Sequence, residues 1–159
     1  MFKLELEILE LLRKKGLTLG VAESATGGLI SHIITNAPGC SEVYKGSITA
    51  YANQTKISLL GVKAETLQQY GAVSAQVAQE MALGGVRVLS VDICISDTGI
   101  AGPGGATPEK PVGLFYLGLA HQLTSYNRQH VFHGGRDENK KSAASAALDW
   151  LMSYLKNLG

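Results

Sequence analysis

The first hundred residues alternate between short apolar runs and longer segments whose apolar residues recur at helical spacing. Strands are predicted at residues 17–23, 47–52 and 91–96, because these runs are short, apolar and contain β-branched residues. Strands separated by helical crossovers pair in parallel within one sheet. This alternation therefore predicts an α/β domain whose sheet has helices on both faces.

The last third of the chain departs from this alternation. Two strand-like runs, residues 112–120 and 125–133, follow each other closely enough to pair antiparallel. We therefore expect a three-layer α/β/α sandwich with a mixed, mostly parallel β-sheet carrying an antiparallel strand, folded as one domain over residues 1–159. Helices are predicted at residues 3–14, 29–36, 53–60, 64–70, 75–88 and 137–155, the fifth with Ser74 as its N-cap.

The composition excludes several classes of protein. A net charge of +1 argues against nucleic-acid binding by phosphate neutralisation, and aromatic residues, at 6%, are too few for a base-stacking platform. No apolar run reaches the roughly 18 residues of a membrane span, and the N-terminus lacks the apolar core of a signal peptide, so we expect a cytoplasmic protein. The two cysteines make no disulfide framework: Cys94 is expected to be buried, whereas Cys40, in a turn, is either inert or a reactive thiol.

Glycine is over-represented, with 19 residues where an average composition would give about 11. Two glycine-rich segments, residues 23–28 and 99–105, follow predicted strands. The carboxyl ends of parallel strands meet at one edge of the sheet, where open α/β sheets bind their ligands. These segments are therefore candidates for one ligand site. For a further doublet inside a predicted helix, Gly84-Gly85, close helix packing is the simplest interpretation.

The segment E-S-A-T-G-G, residues 23–28, joins a predicted strand to a predicted helix. Ser24 lies at the end of the strand, and the N–H groups of Thr26, Gly27 and Gly28 begin the helix, where an anion or oxyanion can bind. A serine beside such donors has the elements of a nucleophile with an oxyanion hole. The alternative is structural: Ser24 or Thr26 caps the helix, and the glycines relieve packing.

A serine nucleophile needs a base, and the four histidines supply no evident one. None pairs convincingly with an aspartate for a triad and none has the spacing of a zinc site, so we expect neither a metal nor another cofactor. Lys56 is the best candidate, because it follows the second predicted strand at the same sheet edge, where burial would disfavour its charge. The alternative is an ordinary solvated lysine.

Two further segments contain candidates for substrate binding. The loop of residues 99–111 contains Gly99 and Gly102, and such glycines allow the backbone to approach a phosphate or ribose closely; a flexible surface loop is the alternative. Arg136 precedes the last predicted helix and suits bidentate binding of a phosphate or carboxylate. Alternatively, Asp137 caps that helix and the neighbouring charges form a solvated face.

Six motifs follow one another in the chain: E-S-A-T-G-G, G-S-I-T-A-Y-x4-K, G-A-V-S, D-T-G-I-A-G-P-G-G, K-P-V-G and G-x-R-D. Together, over residues 5–155, they resemble the C-terminal domain of the competence/damage-inducible protein CinA, a family also known as nicotinamide-nucleotide amidohydrolases or NMN deamidases. The resemblance implies hydrolysis of the carboxamide of nicotinamide mononucleotide to nicotinate mononucleotide and ammonia, in pyridine nucleotide recycling. Larger members carry an N-terminal molybdopterin-binding-like domain, so the resemblance implies a stand-alone amidase here.

The resemblance also implies roles for individual residues. Ser24 is the nucleophile, Lys56 the base and Tyr51 a hydrogen-bonding partner of this dyad. Glu23 positions Lys56 or the substrate amide. The implied reaction needs no metal.

For the substrate, the resemblance implies that Thr98 orients it or the reacting group, and that Arg136 binds the nucleotide phosphate or the catalytic network. The chain departs from the commonest family pattern at two positions. Ala25 stands where many members have cysteine, and Asp97 stands where a small or apolar residue is usual. Asp97 adds a carboxylate near the site, which leaves the substrate preference open.

Two other functions remain open. One is a non-catalytic nucleotide-binding or regulatory module linked to competence or the DNA-damage response; the other is an amidase for a different pyridine nucleotide or small amide. The presence of Ser24, Tyr51 and Lys56 together favours an enzyme, because a binding module needs no nucleophile–base pair. The partners we expect are a small nucleotide substrate, no membrane, no direct nucleic-acid contact, and a second copy of the chain in a homo-oligomer, with a dimer favoured.

Overall fold

The computed structural model describes residues 3–159, and a five-stranded β-sheet forms its centre. The first two residues of the predicted domain lie outside this described part. The strands are β1 (Leu19–Glu23), β2 (Tyr44–Thr49), β3 (Ile93–Gly99), β4 (Leu114–His121) and β5 (Thr124–Val131). The helices are α1 (Lys3–Lys15), α2 (Leu29–Thr35), α3 (Asn53–Leu60), α4 (Ala64–Tyr70), α5 (Ala75–Leu89) and α6 (Arg136–Asn157), with a 3₁₀ turn at Cys40–Glu42.

The sheet is mixed, as the sequence predicts. Its strand order is β2-β1-β3-β4-β5. β1 lies between β2 and β3 and pairs in parallel with both, whereas β4 pairs antiparallel with β3 and with β5. Helices α1, α2 and α6 cover one face, and α3, α4 and α5 cover the other, which confirms the three-layer α/β/α sandwich.

The strands differ from their predicted bounds by one to three residues, and two of these differences affect the site. β2 lies three residues earlier than predicted, because β1 ends at Glu23 and offers no partner beyond the bond from the Ala50 N–H to the Glu23 carbonyl (2.8 Å). β3 continues three residues beyond the predicted Ser96, because antiparallel pairing with β4 extends to Gly99. Asp97 therefore belongs to a strand and not to the following loop.

The glycine doublet of α5 has a packing role. A Cβ atom at Gly84 would clash with the backbone carbonyl of Leu60 at the end of α3, and one at Gly85 would clash with the Sγ of Cys94 in β3. This confirms the close helix packing that the sequence suggests. Cys94 is fully buried, as predicted, and Ser74 caps α5 by accepting a bond from the Val77 N–H (3.2 Å).

Among residues 3–159, the helices are all too short or too polar to span a bilayer.

Candidate functional site

The carboxyl ends of β1, β2 and β3 bring Ser24 and Lys56 to one edge of the sheet. The Ala50 N–H bonds to the Glu23 carbonyl, so the chain leaving β2 starts next to Ser24. The Ser24 N–H donates to Oδ1 of Asp97 (3.0 Å) at the end of β3. Lys56 lies one helical turn into α3, which follows β2 directly.

Lys56 is a buried lysine, with only 2% of its surface exposed. Its Nζ donates to the backbone carbonyl of Tyr51 (3.0 Å), and the described residues place no carboxylate within ion-pair distance of it. Burial lowers the pKa of Lys56, and the negative charge of Asp97 opposes this shift. Lys56 is therefore poised to lose its proton more readily than a surface lysine.

The Ser24 side chain is 6% exposed, and its hydroxyl makes no hydrogen bond to any other residue that the structure describes. Both Ser24 and Lys56 border the Asp97 carboxylate: the first donates its N–H to it, and the second is influenced by its charge. An unbonded hydroxyl and a lysine with a lowered pKa are the chemical groups that a nucleophile and its base require, and no hydrogen bond joins the two in this structure.

The turn after β1 uses most of its N–H groups internally. The Thr26 N–H donates to Oδ2 of Asp97 (3.1 Å), and the Gly27 N–H donates to the Ser24 carbonyl (3.1 Å). Neither of these two groups is a free donor for an oxyanion in this geometry, since both already have acceptors. In the described turn, the N–H groups of Ala25 and Gly28 have no protein acceptor and are the free donors.

A buried acidic cluster underlies this turn. Glu23 and Asp97 are fully buried, and the Thr26 hydroxyl lies within hydrogen-bond distance of both carboxyl groups. Glu23 also accepts bonds from the N–H groups of Ile30 (2.8 Å) and Ser31 (3.1 Å) in α2. Burial raises the pKa of Asp97 to about 6, against the hydrogen bonds from Thr26 and Ser24 that lower it. Glu23 thus orders the start of α2 instead of reaching Lys56.

Tyr51 and Arg136 meet at the exposed rim of the site. Tyr51 is 60% exposed, and its hydroxyl accepts a bond from Nη2 of Arg136 (3.0 Å). Nη1 of Arg136 donates to the Gly102 carbonyl (2.8 Å). The Tyr51 hydroxyl therefore bonds to Arg136, whereas the contact of Tyr51 with Lys56 comes from its backbone carbonyl. Arg136 connects the loop after β3 with the end of β2.

Thr98 and Gly99 are engaged in packing. Thr98 is buried, and its hydroxyl donates to the Ala72 carbonyl (2.8 Å) on the face of the sheet that α5 covers. The absence of a side chain at Gly99 leaves room for the ring of Phe115. Neither arrangement points to a ligand, so contact of these residues with substrate stays a prediction.

Sequence reasoning missed two residues that fix the long loop. The buried Asn139 accepts a bond from the Gly134 N–H (2.9 Å) and donates to the Ala101 carbonyl (3.0 Å). Lys110 donates to the carbonyl of Val73 (2.7 Å) and also to that of Tyr70 (2.6 Å). The loop between β3 and β4 is therefore anchored at both ends, unlike a flexible surface loop. The K-P-V-G motif, which begins at Lys110, was the available signal.

Positive charge surrounds the serine turn on the side of α6. The Nζ of Lys140 lies 3.6 Å from the point that a Cβ of Gly27 would occupy, and Arg136 lies one turn earlier on the same helix. The part of the chain that the structure describes contains no cluster of three potential metal ligands. The site therefore offers a buried serine and a buried lysine, two free N–H donors and a cationic rim.

The family model of the CinA C-terminal domain matches residues 1–155. A CinA-like protein of Thermotoga neapolitana is 45% identical over 157 residues, which cover 99% of this chain but 38% of that protein. The chain thus spans about two fifths of the length of this curated relative.

Solved structures agree over the full fold. The competence/damage inducible protein CihA of Agrobacterium tumefaciens is 35% identical, with a TM-score of 0.93. The match covers 98% of this chain and 95% of that chain. The competence damage-inducible protein A of Klebsiella pneumoniae has a TM-score of 0.96 at 27% identity, with 99% and 98% covered. The chain belongs to the family of CinA C-terminal domains.

Proposed function

We propose that this domain is an amidohydrolase that converts nicotinamide mononucleotide to nicotinate mononucleotide and ammonia with a serine–lysine pair. The observation that carries the proposal is the burial of Lys56, without an ion pair among the described residues, at the sheet edge where Ser24 presents an unbonded hydroxyl. Burying a lysine costs stability, and lysines with a lowered pKa cluster at functional sites, where the neutral amine is used.

In the proposed reaction, neutral Lys56 takes the hydroxyl proton of Ser24 as the serine oxygen attacks the amide carbon. The free N–H groups of Ala25 and Gly28 are the candidate donors to the oxyanion, because the other turn donors are occupied. Protonated Lys56 then gives a proton to the departing ammonia. Water hydrolyses the acyl-enzyme by the reverse sequence, which returns the proton to Ser24.

The rim fits a phosphorylated substrate. Arg136 and Lys140 project from the first turns of α6 toward the loops around Ser24, and a guanidinium and an ammonium both attract a phosphate. A binding role for Arg136 agrees with its two neutral hydrogen-bond partners, the Tyr51 hydroxyl and the Gly102 carbonyl. Neither neutralises its charge, which stays available to an anion.

Ammonia release from nicotinamide mononucleotide tests the proposal. The wild-type protein should release ammonia, and Ser24→Ala should lose this activity. Ser41→Ala is the matched control, because Ser41 is exposed and lies in the 3₁₀ turn away from the site.

Equal release by wild type and Ser24→Ala would exclude Ser24 as the nucleophile. Binding of the nucleotide without any release would indicate a non-catalytic nucleotide-binding module instead, and release from another carboxamide only would indicate a different substrate.

A further inference from the structure

Two buried carboxyl groups meet at a single hydroxyl beneath the serine turn. Oγ1 of Thr26 lies 2.6 Å from Oε1 of Glu23 and 2.5 Å from Oδ1 of Asp97. Glu23 and Asp97 are fully buried at the ends of adjacent parallel strands, and both point to the face that α2 covers. The remaining contacts of both carboxyl groups are with protein donors.

The donors at this cluster are one too few for two carboxylates. A threonine hydroxyl has one proton to donate, and an ionised carboxylate can only accept. Glu23 accepts two backbone N–H groups from α2, and Asp97 accepts those of Ser24 and Thr26. These protons lie in bonds to the carboxyl groups, so none of them lies between the Thr26 hydroxyl and the second carboxyl group. The second short contact is attractive only when the carboxyl itself carries a proton and donates it to Oγ1.

None of the neighbouring charged or titratable groups that the structure describes donates a proton to this second contact. The charged groups facing the cluster are Lys56 from α3, beyond ion-pair distance, and Lys140 from α6, beside Gly27. From β2, Tyr44 is influenced by the charge of Glu23, but its hydroxyl bonds to Ser31. The titratable residue of α2, His32, is exposed. Burial also raises the pKa of Asp97 to about 6, in the direction that favours a retained proton.

We propose that Glu23 and Asp97 form a carboxyl pair that shares one proton through the Thr26 hydroxyl. This pair positions the Ser24 turn and sets the charge of Lys56. As long as it holds this proton, the pair carries one negative charge. When the proton is on Asp97, the charge is on Glu23, away from Lys56, and Lys56 loses its own proton more easily. When the proton is on Glu23, Asp97 carries the charge and keeps Lys56 protonated.

The direct test is the side-chain ¹³C NMR titration of Glu23 and Asp97 in the wild-type protein. We expect one retained proton in the pair above the pH range in which ordinary carboxyl groups ionise. Two carboxyl signals that both report full ionisation in that range would overturn the proposal. This measurement requires neither a variant nor a substrate.

The second test uses two variants with opposite expected signs. Asp97→Asn leaves the charge on Glu23, so the pKa of Lys56, followed by NMR of its Cε, should fall. Glu23→Gln leaves the charge on Asp97, so the pKa of Lys56 should rise. A merely structural role of these residues predicts no such reversal, and shifts of the same sign, or none, would contradict the pair. The matched control is Asp92→Asn, which removes another hydrogen-bonded aspartate at the opposite end of β3 and should leave Lys56 unchanged.

The consequence for turnover rests on the proposed amidohydrolase function. The acidic limb of the pH profile of kcat/KM, where Lys56 becomes neutral, should move to lower pH in Asp97→Asn and to higher pH in Glu23→Gln. If the wild-type protein hydrolyses no amide, the proposed function fails, yet the NMR titrations still decide for or against the pair. If either variant does not fold, the wild-type titration decides alone.

Discussion

A threonine–aspartate pair joins β1 to β3 at both ends of the two strands. At the amino end, Oδ2 of Asp92 accepts the N–H (2.8 Å) and the hydroxyl (2.9 Å) of Thr18. At the carboxyl end, Asp97 accepts the N–H and the hydroxyl of Thr26. We call each threonine–aspartate pair a clamp. Because the two clamps use the same chemical groups, the differences between them show which features belong to the candidate site.

Three things distinguish the carboxyl end. It is fully buried, whereas Asp92 and Thr18 are half-buried; it contains a second carboxyl, Glu23; and Lys56 lies beside it. The amino-end clamp is a complete hydrogen-bonding unit, with the Asp92 N–H returning a bond to the Thr18 hydroxyl (3.1 Å). A threonine–aspartate clamp is therefore sufficient to align two strands, and the additional acid at the other end needs a different explanation.

The largest expected effect is on activity, and it distinguishes the carboxyl ends of β1 and β3 from their amino ends. Lys56→Met should lower turnover of nicotinamide mononucleotide by about 10³-fold, because the serine loses its base. Asp92→Asn should leave turnover unchanged, since the amino-end clamp touches no part of the site. The measurement is steady-state ammonia release, with Lys45→Met as a control for loss of an exposed lysine. Comparable losses in Lys56→Met and Lys45→Met would show that the buried lysine has no special role.

The second effect separates the two aspartates by the pH dependence of stability. Folding raises the pKa of Asp97 from 3.8 to about 6, so the folded state binds this proton more tightly than the unfolded chain does. The free energy of unfolding should therefore increase by about 3 kcal/mol as the pH falls from about 6 to below 4. Urea unfolding at several pH values measures this increase. It should be lost in Asp97→Asn and kept in Asp92→Asn, and its persistence in Asp97→Asn would assign it to another group.

The third effect separates the two threonines. Thr26→Val should lower the free energy of unfolding by about 3 kcal/mol, because it leaves two buried carboxyl groups without their bridge. Thr18→Val should cost about 1 kcal/mol, because Asp92 is partly exposed and water can replace the lost hydroxyl. Thr26→Ser, which keeps the hydroxyl, should recover most of the stability. Equal costs in the two valine variants, measured by urea unfolding, would show that the buried end is no more than a second clamp.

The smallest effect concerns the exposed rim. Tyr51→Phe removes the hydroxyl that accepts a bond from Arg136 and leaves the backbone carbonyl that binds Lys56. We expect KM for the nucleotide to rise about fivefold with little change in kcat, because the hydroxyl acts through Arg136. A large fall in kcat would instead indicate that the Tyr51 hydroxyl acts on the Ser24–Lys56 dyad, as the family resemblance implies.

The placement of Ser24 and Lys56 at one edge of the sheet could be predicted from sequence, because it depends on local signals. Each residue follows a short apolar run, and the ends of parallel strands meet at one edge of a sheet. The extension of β3 to Gly99 could not be predicted in this way, because it depends on pairing with β4, about twenty residues later. That extension places Asp97 on the same face as Glu23.

The bonds that occupy the N–H groups of the serine turn, and those that anchor the long loop, could not be predicted from the sequence for a related reason. Thr26 and Asp97 are 71 positions apart in the chain, and Asn139 reaches Ala101 across 38 positions. Side chains that bond to a distant backbone leave no periodic pattern, so Asn139 looks like any polar residue of a helix. The turn glycines Gly27 and Gly28 have positive φ angles of 63° and 103°, so their left-handed backbone, and not a close approach, accounts for them.

The contact of Gly84 with the end of α3 also bears on how this domain could be engineered. The separation of α5 from α3 is set there by one backbone against another, with no side chain between them that could adopt a new rotamer. Since Lys56 lies one turn before Leu60, any enlargement at Gly84 would displace the helix that holds the base. A mutagenesis library aimed at altered substrate range should therefore keep the α5 glycines constant and place its diversity on the exposed rim at Tyr51.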